Sequence, residues 1–197
     1  MTGTGSRTRR SDATRAAILR AARARFAADG YERATIRAIA ADARIDPAMV
    51  MRYYGSKEGL FAAAAEFDLH LPELAEVPPE RLGETLARHF LRRWEADGTL
   101  VALLRAASTN PGAADRMRDI FAGQLVAAVT RSGADPATAA RRAGLVASQI
   151  LGLALTRYVI PLPPVTDLDP DELVEWVGPT IQRYLTRPFP PSSTSAR

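Results

Sequence analysis

The 197-residue chain contains no cysteine, which excludes disulfides, zinc fingers, iron–sulfur clusters and cysteine nucleophiles together. Its two histidines leave little room for metal chemistry, and no metal or cofactor is expected. Long apolar runs are missing too. The stretch from Leu60 to Ala65 is typical, against the roughly 20 residues that span a bilayer, so no membrane partner is expected. The first ten residues are rich in Thr, Gly and Arg and lack the apolar stretch of a secretory signal, so the expected location is cytoplasmic. Lysine occurs once, at Lys57, among 26 basic residues; we read the arginine excess as the codon bias of a GC-rich genome.

What is present fits a globular chain of one or two domains. At 47% apolar and 24% charged residues, it is too hydrophobic to stay disordered. The charge is unevenly divided. Residues 1–60 carry 12 Arg or Lys against 6 Asp or Glu, whereas residues 61–197 carry 14 against 16. A basic N-terminal part points to a polyanion as partner, and the near-neutral remainder to a separate task.

Helical periodicity runs through the whole chain, and no segment alternates long enough to be a strand. Ser11 and Asp12 offer a cap for helix 1, which carries Ile18, Leu19, Ala22 and Phe26 on one stripe and ends at Asp29-Gly30. Thr35 caps a short second helix. Asp46 followed by Pro47 opens a third, and the Ala43-Arg44-Ile45 turn joins the two. Helices this short are unstable alone and must pack on helix 1, which makes a helix-turn-helix candidate. A fourth helix is expected over about 56–71, followed by helices at about 80–97, 99–109, 112–132, 136–160 and 170–186. The last of these opens with Asp169-Pro170 and Glu172, the spacing of a capping box.

From Thr14 to Leu60 the order of residues is specific: Thr14-Arg15, Ile18-Leu19, Ala21-Ala22, Phe26, Gly30-Tyr31, Ala34-Thr35-Ile36, Ile39-Ala40, Ala43, Ile45-Asp46-Pro47-Ala48, Tyr53-Tyr54 and Gly55 to Leu60. This segment resembles the N-terminal domain of the tetracycline-repressor (TetR) family of transcriptional regulators. It departs from that family's pattern in the turn, where Arg44 replaces a glycine, and in the third helix, where Ala48, Met51 and Tyr54 replace glycine, tyrosine and phenylalanine.

The resemblance implies an all-α protein of about nine helices: an N-terminal three-helix helix-turn-helix domain and a C-terminal helical ligand-binding and dimerisation domain. The expected boundaries are a disordered basic arm over 1–11, a DNA-binding domain over 12–58 with helix 4 as link, a regulatory body over 72–187 and a disordered tail over 188–197. The implied partners are a palindromic double-stranded DNA operator, a second copy of the chain and a small-molecule inducer, and the implied setting is the nucleoid.

In such a domain the third helix enters the major groove while flanking donors hold phosphates. Asp46, Pro47, Ala48 and Met49 stand at the entering end. Arg52, one turn on, is the strong hydrogen-bonding reader, able to take guanine O6 and N7 together. Tyr53 and Lys57 match the family's phosphate-binding tyrosine and lysine, and Thr35 and Arg37 open helix 2, whose N-terminus attracts anions. Met49 and Met51 serve either as readers or as packing, Tyr54 reads as core, and Arg7, Arg9 and Arg10 form either a minor-groove arm or a plain tail.

Gly144, Ser148, Gly152 and Thr156 form a ridge of small residues at four-residue spacing, so another helix packs closely there, from the same chain or from a partner. The family places its dimer interface on the last two long helices. With Leu173, Val177, Ile181 and Leu185, the ridge is the expected interface. Phe67, Phe90, Trp94, Leu104, Met117, Phe121, Leu125 and Tyr158 are the candidates for an apolar or aromatic ligand pocket, though helical spacing alone makes such residues core.

Enzyme chemistry finds no support. There is no Gly-rich phosphate loop and no Gly-x-Ser-x-Gly elbow, and Glu66, Asp68, His70 and Glu73 straddle a helix end beside Pro72 without a two-histidine motif. The competing reading is an architectural DNA-binding protein without ligand control. It predicts nearly sequence-independent binding and a filled C-terminal core.

Overall fold

The computed structural model describes residues 4–64, 68–96 and 98–189, with the backbone alone over 4–10. Among these residues the protein is all helical: α1 Thr4–Arg33, α2 Ile36–Ala43, α3 Pro47–Tyr54, α4 Lys57–Ala64, α5 Leu82–Ala96, α6 Gly98–Ala107, α7 Pro111–Ile120, α8 Val126–Arg131, α9 Pro136–Ala154, the four-residue α10 Pro163–Thr166, and α11 Pro170–Thr186. A π-turn over Phe121–Leu125 joins α7 to α8, and a second over Leu155–Val159 ends α9. The helices expected over 112–132 and 136–160 are therefore each α-helix plus π-turn.

The starts follow local chemistry. Thr35, Asp46, Asn110, Asp135 and Asp169 each accept a backbone N–H with the side chain, and proline stands at the first helical position in the last four cases. Asp169 and Glu172 close the capping box in both directions. Gly30, at φ 75°, breaks α1 where Asp29-Gly30 predicts its end.

Two expected boundaries differ. The helix containing Ser11 and Asp12 runs back to Thr4, because nothing between them breaks a helix; the arm expected over 1–11 is thus helical from Thr4. The fourth helix does not reach Leu71. By Asp68 the chain is no longer helical: Leu69 N–H donates to Gln124 Oε1 at 2.7 Å, Leu69 C=O accepts from His89 Nε2 at 2.8 Å, and Asp68 Oδ1 takes His70 N–H, with His70 at φ 47°. Side chains of the body thus replace the helical bonds that Pro72 disfavours.

Helices α1 to α4 enclose Ile18, Phe26, Ile39, Val50, Leu60 and Phe61, with the Phe26 and Phe61 rings edge to face at 4.8 Å. This unit meets the rest through α1 on α6 and α4 on α7. In the rest, α11 lies along α5 so closely that Gly83 faces Gly178, and Gln182 bonds both Gly83 N–H and Pro79 C=O. Leu173, Val174, Val177, Ile181 and Leu185 fill the inward side of α11.

Candidate nucleic-acid interface

The third helix presents its N-terminal end to solvent. Asp46 Oδ1 accepts from Ala48 N–H at 2.7 Å, and Asp46, Pro47 and Ala48 are exposed while Val50 is buried against the unit's core. Met49 is half-buried; Met51, on the other hand, is 42% exposed. Of the two methionines, Met51 is therefore the one free to touch a groove. Arg52 is exposed, as is Arg37 at the start of α2. Neither guanidinium has a hydrogen bond or ion pair among the described residues, in contrast to Arg25, which holds Asp42 at 2.7 Å, and Arg23, which donates to Ala64 C=O. Thr35 Oγ1 accepts from Ala38 N–H at 3.1 Å, which keeps its own hydroxyl hydrogen available at the end of α2.

The two residues matched to phosphate-binding positions are held by the protein. Tyr53 Oη lies 3.3 Å from Ser11 Oγ, with Arg15 over its ring at 5.2 Å. Lys57 Nζ donates to Glu32 C=O at 3.0 Å and sits 4.5 Å from the Tyr31 ring centre. Tyr31 in turn donates to Glu58 at 2.7 Å; burial, then that bond, pushes its phenol up to about 12. Both the Lys57 cation and the Tyr53 phenol are thus held in place by neighbouring groups. Tyr54 is half-buried and its phenol is raised by burial, as its core reading implies.

The expected ligand pocket is closed. Phe90, Trp94 and Tyr158 line a small apolar void with Leu91, Ile150 and Leu153, but its volume is about 10 Å³, room for one water. Trp94 Nε1 is buried there in the body without a hydrogen-bond partner among the described residues. Leu104, Met117, Phe121 and Leu125 are core, Phe121 stacking on Phe90 at 6.0 Å, and Phe67 lies outside the described residues. The larger cleft, about 830 Å³, is polar: it lies between Asp68, His70, Arg116, Gln124 and Arg131 and contains none of the expected residues. Asp68 there pairs with His70 and Glu73 with Arg131, while Glu66 lies outside the described residues.

The small-residue ridge and the α11 stripe separate. Gly144, Ser148 and Gly152 are exposed, Thr156 is half-buried, and a Cβ on either glycine would meet nothing within 4 Å. Leu173, Val177 and Ile181, expected with them, are buried in the protomer's own core, because α11 turns its apolar stripe onto α5. What α11 shows outward is Trp176, 75% exposed; Leu145 beside the ridge is 38% exposed.

Among the described residues no helix is long and apolar enough to cross a membrane. A family model for bacterial regulatory proteins of the tetR family matches residues 18–64, and one for the tetracyclin repressor-like C-terminal domain matches 80–185, more than half of the chain. No curated protein matches it. Among solved structures, a TetR-family regulator from Streptomyces coelicolor A3 is similar at 29% identity and TM-score 0.58, covering 89% of this chain and 96% of its own. Two regulators from Rhodococcus sp. RHA1 share the fold: a TetR transcriptional regulator at 15% identity and TM-score 0.61 (92% and 99% covered), and a TetR-like one at 20% and 0.59 (89% and 97%).

Proposed function

The chain belongs to the tetracycline-repressor (TetR) family of transcriptional regulators, and we propose that it is a repressor that binds a palindromic operator as a homodimer and is released by a small apolar or aromatic ligand. The observation that carries the DNA-binding part is the exposed N-terminal end of α3, with the unpaired guanidinium groups of Arg37 and Arg52 beside it. Residues 12–58 form the DNA-binding domain, α4 the link, and residues 72–187 the regulatory and dimerising body. Arg52 reads a base; Met51 and Ala48 sense thymine methyls; Thr35, Arg37, Tyr53 and Lys57 hold phosphates. Two recognition helices must meet two half-sites about one helical turn apart, so dimerisation is part of the function. The open ridge Gly144–Ser148–Gly152 on α9, together with the exposed Leu145 and Trp176, supports that assembly.

The ligand enters by parting Phe90, Trp94 and Tyr158, offering an acceptor to Trp94 Nε1. By linkage it lowers operator affinity by the factor with which it prefers the DNA-incompetent conformer. A second reading, architectural DNA binding without ligand control, is favoured by the filled body, whose apolar void has only about 10 Å³.

Fluorescence anisotropy with duplex DNA from just upstream of the protein's own gene, against a scrambled duplex at physiological salt, separates the two. A preference of about a thousandfold supports the repressor, and equal, weak, salt-sensitive binding to both supports the architectural reading.

A further inference from the structure

The turn between α2 and α3 is a helix stop built for glycine. Ile45 N–H donates to Ala40 C=O at 2.9 Å and Arg44 N–H to Ala41 C=O at 3.0 Å, the paired bonds of a Schellman motif. Such a motif needs its C′ residue in the left-handed region, where a Cβ crowds the backbone, and the residue there is Arg44, at φ 56° and ψ 45°. Apart from Arg44, only His70 among the described non-glycine residues has a positive φ. Nothing about the turn itself calls for arginine, since glycine would hold the same bonds without the crowding. A strained backbone residue points to a task for its side chain.

The surroundings define that task. Arg44 is exposed and lies two residues before Asp46, the cap of the helix that enters the groove. Both neighbouring carboxylates are committed: Asp42 is held by two nitrogens of Arg25, and Asp46 Oδ1 caps α3. The Arg44 guanidinium has no hydrogen bond or ion pair among the described residues. It joins Arg37 and Arg52 as a third unpaired guanidinium on the α2–α3 unit, beside the dipole-positive start of α3. The folded protein gives this cation no partner among the described residues, and a DNA phosphate would supply one.

Resting on the reading that this unit binds DNA, we propose that Arg44 is a phosphate contact, seated at the edge of the groove that α3 enters. Here the glycine of the turn has been exchanged for a charge that anchors the DNA backbone. A phosphate contact is sequence-independent, and each one steepens the log–log dependence of affinity on salt by about 0.9, which amounts to about eightfold in affinity between 1 M and 0.1 M salt.

The test compares wild type with Arg44→Gly, Arg44→Asn and Arg44→Lys, using anisotropy on the upstream and scrambled duplexes across a salt series, with thermal melting alongside. Glycine and asparagine both tolerate the left-handed region, so these variants melt no lower than wild type and a loss of binding is not unfolding. They are expected to flatten the salt slope by about 0.9 per protomer on both duplexes, while Arg44→Lys, which keeps the charge, retains the slope. Arg105→Ala, which removes an exposed charge on α6, leaves it unchanged. Wild-type slopes for Arg44→Gly and Arg44→Asn, a loss confined to one duplex, or an equal loss in Arg105→Ala would each overturn the assignment. A wild-type protein that binds neither duplex would instead overturn the reading on which it rests.

Discussion

Replacing Gly83 by alanine tests how tightly the body is closed. A Cβ at this position would lie 2.3 Å from Gly178 O, 2.5 Å from Gln182 N and 2.7 Å from Gln182 Cβ. Two of the three atoms are backbone, so no rotamer change relieves the contact and α5 must draw away from α11. Overpacking of this kind costs about 1–3 kcal/mol. The same movement breaks the 2.8 Å bond from Gly83 N–H to Gln182 Oε1, worth about 1 kcal/mol. Alanine's better helix propensity returns up to about 1 kcal/mol. A net loss of about 1–3 kcal/mol lowers the melting temperature of a chain this size by roughly 2–12 °C, read by circular dichroism at 222 nm. Gly123→Ala is the control for adding a methyl group without overpacking, because a Cβ there meets nothing within 4 Å. A Gly83→Ala variant melting within about 1 °C of wild type would refute the reasoning, since the helices would then separate at no cost.

Gly152→Leu places a bulky side chain on a face that is open in the protomer, so its fold survives while the dimer weakens; sedimentation should show the shift to monomer, and an intact dimer would count against the ridge as interface. His89 is held neutral below its ordinary value, first by burial and then by the nearby Arg92 and Arg93, against the raising effect of its bond to Leu69 C=O. A histidine with a depressed folded value contributes stability above about pH 6.5 that is lost as pH falls through that folded value. The melting temperature should thus fall between pH 7 and pH 5 in wild type and less in His89→Gln, and parallel curves would exclude His89 as the cause.

What was legible in the sequence is what short-range chemistry decides. The caps at Thr35, Asp46 and Asp169 and the stop at Gly30 depend on residues within one turn of themselves, and each forms as its spacing implies. The end of α4 does not, because Leu69 is tethered by Gln124, 55 residues away, and by His89. The stripe Leu173–Val177–Ile181 reveals a buried face but not what buries it. Here the partner is α5 of the same chain, brought near by two glycines that periodicity treats as blanks. In the candidate interface, the identity of α3 was plain, while the choice between Met49 and Met51 required knowing which side Val50 packs. The strain at Arg44 is visible only once φ is known.

The pairing of α5 with α11 also sets the order in which the protein becomes whole during synthesis. Gln182 closes on Gly83 across 99 residues, and α11 leaves the ribosome after every other described helix. Until then Leu82, Leu86 and Phe90 on α5 have no complete cover, and α1, which packs on α6 as well as on α2 and α4, is not fully backed until α6 has emerged. The nascent chain thus passes through an interval with an open, adhesive body, the kind of species that aggregates or recruits chaperones. The body is closed only once the last helix has been made.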